Sequence, residues 1–154
     1  MNAIQDFYPE WAAHCYGCGR LNEQGLKLKT VWDGDETVTR YTPRPEHTAI
    51  PGYVYGGLIA SLIDCAGTGT AAAAAYRAQG REPGTPPELR FVTASLQVDY
   101  LRPTPMGVEL VVRGRAVEVK ERKVVVSSEL RAGDEVCARG RVVAVKAPEN
   151  MVPK

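Results

Sequence analysis

The sequence predicts an α+β fold in which a curved antiparallel sheet of five to six strands wraps one long central helix. Three observations carry that expectation. A run from Gly56 to about Tyr76 is almost wholly apolar or small and stops at Gly80 and Pro83, with Ala71 to Ala75 strongly favouring helix. Four alternating stretches follow it, separated by short polar turns, the pattern of antiparallel strands. A shorter alternating pair precedes it, joined at Asp33-Gly34-Asp35-Glu36, a hairpin turn. One sheet of this size must bury a face, and the helix is the only large apolar element available to cover it. A free sheet edge then remains to pair with another copy. At 154 residues the chain reads as a single domain spanning 1–154, with enough length for a sizeable core.

In chain order, Ile4 to Ala13 reads as a short N-terminal helix with Pro9 early in it. His14-Cys15-Tyr16-Gly17-Cys18-Gly19 follows. Its Cys-x-x-Cys spacing invites a zinc reading, but a structural zinc site takes four ligands, usually as two such pairs. Cys65 and Cys137 stand singly, so the pair reads as a structural turn, and no metal or cofactor is expected. Leu26–Trp32 and Thr37–Tyr41 are the two strands of the first hairpin, and a Pro-rich loop from Pro43 to Gly52 holds His47, read as a solvated loop histidine. After the helix, Gln79–Glu88 is a Gly/Pro-rich loop, read as a mobile one. Phe91–Leu101, Val108–Val119, Lys123–Arg131 and Glu135–Lys146 then read as a meander of four strands, and Ala147–Lys154 as a frayed tail.

The net charge of +1 gives no overall field to attract nucleic acid or a membrane surface. No run of about 18 apolar residues is present, so no membrane-spanning helix is expected. The N-terminus lacks a basic n-region and an apolar h-region, which makes a cytoplasmic location with reduced cysteines the expectation.

The chemistry concentrates in the helix. Projected at about 100° per residue, Leu58, Ile59, Leu62, Ile63 and Ala66 share one broad side. Gly57, Ala60, Ser61, Asp64, Gly67, Thr68 and Ala71 share the other, a groove of small residues holding one carboxylate. A helix apolar on most sides is covered on most sides, and a carboxylate there is costly unless hydrogen-bonded, paired or wet. At the other end, the first N–H groups of a helix lack partners and carry the positive end of its dipole. Glycines at 56 and 57 leave those groups open to a carbonyl oxygen, the chemistry of an oxyanion hole. Eight residues separate Gly56 from Asp64, about 12 Å at 1.5 Å per residue. One carbonyl cannot meet both on one helix, so two antiparallel copies are expected, each Asp64 near the other's Gly56, in a twofold homodimer.

These residues resemble the hotdog-fold acyl-CoA thioesterases, in particular the phenylacetyl-CoA thioesterase-like (PaaI-like) group. The resemblance covers roughly 15–146. It rests on Gly52-Tyr53-Val54-Tyr55-Gly56-Gly57 with Asp64, on Thr93 through Pro103, and on Cys15-Tyr16-Gly17-Cys18-Gly19 with Asn22 and Gly25-Leu26. It implies hydrolysis of a thioester to a free acid and CoA, with the backbone N–H at Gly56 as oxyanion donor, Asp64 as general base or nucleophile, and Thr93 positioning the water or the acid. It also implies a homodimer, often a dimer of dimers, with Gly56 and Asp64 of different subunits sharing a site. Many relatives carry His where this chain has Tyr55, and Asn where it has Ala49; the Tyr55 hydroxyl can still donate a hydrogen bond.

The acyl pocket is expected along Tyr53, Tyr55, Gly57, Leu58 and Ser61, and the CoA phosphates need cations, for which Arg102, Lys120, Arg122 and Lys123 are the candidates. Two rival classes remain in view. A hydratase needs a His-plus-acid pair, and His14 and His47 stand at no matching position. A non-catalytic acyl-CoA-binding protein is the alternative favoured by Tyr55 and Ala49.

Overall fold

The structure, a computed structural model, describes residues 2–154 and wraps six strands around the helix. The strands are β1 (Thr30–Asp33), β2 (Glu36–Tyr41), β3 (Phe91–Tyr100), β4 (Leu110–Val119), β5 (Lys123–Ala132) and β6 (Glu135–Lys146). They form one antiparallel sheet in the order β1-β2-β4-β5-β6-β3. Helix α1 (Gly56–Ala78) touches every strand. This is the hotdog architecture.

Why α1 sits so deep is visible in its neighbours. A Cβ on Gly140 of β6 would stand 2.2 Å from Ile63 Cγ2, and one on Gly67 of α1 would stand 2.5 Å from Val142 Cγ2. Side chains of the helix therefore drop into notches in the sheet, and one from the sheet drops into the helix. Sixteen of the 23 helix residues are buried, including Ile63 at 0% and Leu62 at 1% exposure. Several polar groups enclosed with them satisfy one another, as burial favours. Thr37 Oγ1 and Thr70 Oγ1 lie 2.6 Å apart, and Gln5 receives the Thr30 N–H while donating to the Thr30 hydroxyl. Among the described residues α1 is the one helix long and apolar enough to cross a membrane, and 83% of that stretch is buried against the rest of the fold.

Several expectations need correction. The N-terminal helix is two short 3₁₀ turns, Ile4–Phe7 and Glu10–Ala12. Tyr8 between them is extended (φ −70°, ψ 137°), as the residue before a proline prefers. The first strand begins at Thr30, not Leu26. Lys27 takes φ +54°, and the Leu26 and Leu28 N–H groups bond to the carbonyls of Tyr16 and Gly17 instead of a strand. Only β4, β5 and β6 form a meander; β3 crosses to the far edge and pairs with β6. The tail contains a further 3₁₀ turn at Glu149–Met151.

The notch at Gly140 is testable. Gly140→Ala forces Ile63 to move in a filled core, and overpacking of this kind costs about 1–3 kcal/mol. Urea unfolding should show that loss, and adding Ile63→Ala should cost less than the two single changes sum to. Additive losses would mean that the contact is not what fixes glycine at this position.

Candidate functional site

The start of α1 is built by the loop before it. Thr48 bridges Val54 and Tyr53 bridges Pro105, and the Tyr55 N–H donates to the His47 carbonyl at 2.8 Å. Tyr55 is the N-cap residue and offers no side-chain cap; the Leu58 and Ile59 N–H groups bond to its carbonyl. Among the described residues the N–H groups of Gly56 and Gly57 have no protein acceptor, so the positive end of the helix is open. The Tyr55 ring lies across Gly57, where a Cβ would stand 2.4 Å from it. Tyr100 of β3 donates its hydroxyl to the Gly56 carbonyl at 2.7 Å. Burial first, and the neighbouring Tyr55 second, hold the Tyr100 phenol above its usual pKa, so it stays a donor.

Asp64 sits two turns further along and is half-buried. The Thr93 hydroxyl donates to its Oδ1 at 2.5 Å. Among the described residues no Lys, Arg or His forms an ion pair with it. Beyond the first two glycines, the only incompletely buried positions of α1 before its last turn are Ala60, Ser61 and Asp64. Positions 57, 60, 61 and 64 follow the helical i, i+3, i+4, i+7 pattern, so one open strip of small residues runs from the helix tip to the carboxylate.

Strand β3 reaches both ends of that strip because of a bulge. Thr93 pairs with Ala144 and Ser95 with Val143, leaving Ala94 as the extra residue. Upstream of it Phe91 and Thr93 face the helix; downstream, Leu96, Val98 and Tyr100 do, opposite Val142, Gly140 and Ala138. A bulge re-aims side chains in this way. Tyr100 was not among the sequence candidates, yet its signal was present: the apolar alternation slips by one residue between Thr93 and Leu96.

The structure sorts the remaining candidates. Tyr53, Gly56, Tyr100 and Arg102 line a cleft of about 540 Å³ with Ile50 and Ile59 at the helix tip. Arg102 is paired there with Glu135 at 3.2 Å. Leu58 does not line it: the side chain is in the core, at 5% exposure. The Ser61 hydroxyl donates to the Gly57 carbonyl of its own helix at 2.9 Å. Lys120 and Arg122 are exposed in the β4–β5 turn, where the Lys146 N–H meets the Arg122 carbonyl. Because Lys146 pairs with Phe91, that turn lies toward the Thr93 end of the sheet, away from Arg102. Lys123 is held by Glu118 at 3.1 Å.

Comparison with known proteins shows the family and the fold. The sequence profile of the thioesterase superfamily matches residues 51–138. An acyl-coenzyme A thioesterase THEM4 from Xenopus laevis is 32% identical over 98 residues, covering 64% of this chain and 38% of that protein. The Rattus norvegicus THEM4 is 33% identical over 86 residues, covering 56% and 31%. The aligned part therefore spans less than two fifths of the length of these curated relatives. Among solved structures, a thioesterase superfamily protein from Shewanella loihica PV-4 is 51% identical with a TM-score of 0.71, over 94% of this chain and 99% of that one. A thioesterase from Haemophilus influenzae shares the fold at 14% identity, with a TM-score of 0.67 over 84% and 85% of the two chains.

His47 proves neither solvated nor part of the strip. It is 9% exposed, its Nδ1 accepts the Arg44 N–H at 3.0 Å, and its ring lies 5.9 Å from that of Tyr41. Burial, and then the Arg44 charge, hold its pKa below the ordinary 6.5. The unfolded chain therefore takes the proton first as pH falls, so the native state loses stability as pH drops through 6.5 toward the folded value. Between about pH 7.5 and about pH 5 the urea midpoint of the wild type should fall. His47→Asn keeps an acceptor for Arg44 and should flatten that fall. Equal slopes for the two proteins would show that His47 is not the group responsible.

Proposed function

The chain belongs to the thioesterase superfamily, and from that premise we propose that it hydrolyses an acyl-CoA thioester at sites shared by two copies of itself. The observation that carries this reading is the pair of open groups on one rigid helix: the Gly56 and Gly57 N–H groups at its tip and the Thr93-bonded carboxylate of Asp64. The helical rise keeps them about 12 Å apart, so a single carbonyl meets both only when they come from different subunits.

Strand β3 supports the pairing. It is a sheet edge of ten residues, with Leu96 at 39% and Tyr100 at 53% exposure. Thr93 marks its Asp64 end and Tyr100 its Gly56 end. A second β3 laid antiparallel about Leu96–Gln97 sets each Tyr100 opposite the other's Thr93. The tip of one helix then faces the acid of the other, and two long edges are closed together.

In that site the thioester oxygen accepts hydrogen bonds from the Gly56 and Gly57 N–H groups. Asp64, oriented by Thr93, takes a proton from a water molecule as its oxygen attacks the carbonyl carbon. Negative charge developing on the carbonyl oxygen is stabilised by the helix tip. Collapse breaks the C–S bond and releases CoA thiolate, which takes up a proton, and the acid. Direct attack by Asp64, through a mixed anhydride, uses the same geometry. The acyl group enters along the strip at Gly57 and Ser61 and the cleft at Tyr53, under the Tyr55 ring. Lys120 and Arg122, exposed at the acid's end of the sheet, are the cations for the CoA phosphates, and Arg102 is already committed to Glu135.

Asp64→Asn should lower thiol release from a panel of acyl-CoAs by about 10²–10⁴-fold with little change in KM, and Thr93→Val should lower it less. Single turnover in ¹⁸O-labelled water separates the routes: label in the enzyme carboxylate means direct attack, label in the product acid alone means a base. Tight acyl-CoA binding without Asp64-dependent release would favour the non-catalytic reading, and an active strict monomer would refute the shared site.

A further inference from the structure

The Cys-x-x-Cys turn is not alone. Cys65, one residue after Asp64, presents its sulfur to it from the helix. The three sulfurs of Cys15, Cys18 and Cys65 lie within 4.8 Å of one another, with Cys15 and Cys65 3.8 Å apart. All are free thiols. We propose that Cys15, Cys18 and Cys65 form a zinc site, three thiolates supplied by the chain and a fourth position left to water on the solvent side.

Geometry carries the assignment. Two sulfurs bound at about 2.3 Å to one tetrahedral ion stand about 3.8 Å apart, the separation already present between Cys15 and Cys65. The turn is shaped to admit the helix cysteine: a Cβ at Gly17 would lie 2.3 Å from Cys65 Sγ, so glycine is what lets the sulfur in. The turn itself is held rigid, with the Gly19 N–H on the Cys15 carbonyl at 2.7 Å and the Leu26 and Leu28 N–H groups on Tyr16 and Gly17.

Two neighbours point to a charged occupant. Among the described residues the Tyr8 hydroxyl is buried with no hydrogen-bond partner. The Arg90 guanidinium lies 4.6 Å from the centre of the Tyr8 ring, and its charge is felt at Cys18. Three thiolates with Zn²⁺ carry one net negative charge, which the Arg90 charge offsets; with Cu⁺ they carry two, and one remains. Zinc uptake is balanced as Zn²⁺ plus three thiols giving a tris-thiolate and three protons released to water. Cys18 and Cys65 are 1% and 7% exposed and Cys15 is the open one, so entry and the fourth position lie on its side. Cys137 is not among the three.

The test uses the full chain, stripped by chelator under reductant and titrated with Zn²⁺ against a chromophoric competitor. One zinc per chain is expected, with Cys15→Ser and Cys65→Ser each weakening binding at least about 100-fold and Cys137→Ser leaving it unchanged. Cobalt substitution should give a sulfur-to-metal charge-transfer band in the wild type. Should the variants fail to fold, alkylation of the wild type decides: zinc should protect Cys15, Cys18 and Cys65 together. The assignment is overturned by no zinc held against the competitor, by zinc bound equally well without Cys65, by retention of Cu⁺ but not Zn²⁺, or by protection of fewer than three thiols.

Discussion

Close approach between α1 and the sheet is what the rest of the structure depends on. It is made by glycines on both surfaces: Ile63 enters the notch at Gly140, Val142 the one at Gly67, and the Thr37 and Thr70 hydroxyls crowd the position of a Cβ at Gly114. Each missing side chain lets a neighbour fill the space, and interiors packed to this density tolerate little change in volume. The N-terminal segment covers the helix from another side, with Gln5 and Thr30 against Gly69. Once the helix is enclosed this fully, its few open positions are informative. They are the tip and the strip through Ala60 and Ser61 to Asp64. A carboxylate on the only open strip of a buried helix, bonded by a threonine and joined to no cation among the described residues, is placed where a reacting group can reach it.

The rigidity of that helix turns a local observation into one about assembly. A 23-residue helix packed along all but one strip does not bend to bring its tip toward a group two turns away. The proposed hydrolysis therefore requires a second copy, and the bulge at Ala94 sets which residues of the β3 edge such a copy would meet. Without the extra residue, Thr93 and Tyr100 would point to opposite faces of β3, because they are seven apart and strand side chains alternate. With it, both face the helix, one bonding the acid and the other the tip.

Much of this was legible in the sequence. The helix, its first glycines, its acid and the six strands follow from apolar spacing and turn residues, and the strand bounds from Phe91 onward fall within a few residues of the expected ones. The rest failed for identifiable reasons. Strand order is non-local, and nothing in Phe91–Tyr100 says that it pairs with β6 rather than β4. Leu26 and Leu28 alternate as a strand would, but their N–H groups were claimed by the cysteine turn. Pro9 divided the N-terminal helix through its effect on Tyr8. His47 looked like any loop histidine until its backbone and ring were seen to latch Arg44 and Tyr55. Arg102 was a free cation on paper because Glu135 is 33 positions away.

The cysteine cluster shows the same limit and has a consequence for the acid. Cys-x-x-Cys is a local signal, whereas its third member lies 50 residues on and was hidden within an apolar helix. Asp64 and Cys65 are consecutive, so their side chains leave the helix about 100° apart: one toward Thr93 on β3, the other toward the turn at Cys15. The two contacts hold the helix from different directions around its axis. A rotation that carried Cys65 away from the turn would swing Asp64 off the Thr93 hydroxyl. An ion bound at the three sulfurs would thus fix the angular setting of the helix at the residue beside its carboxylate, without itself touching a substrate.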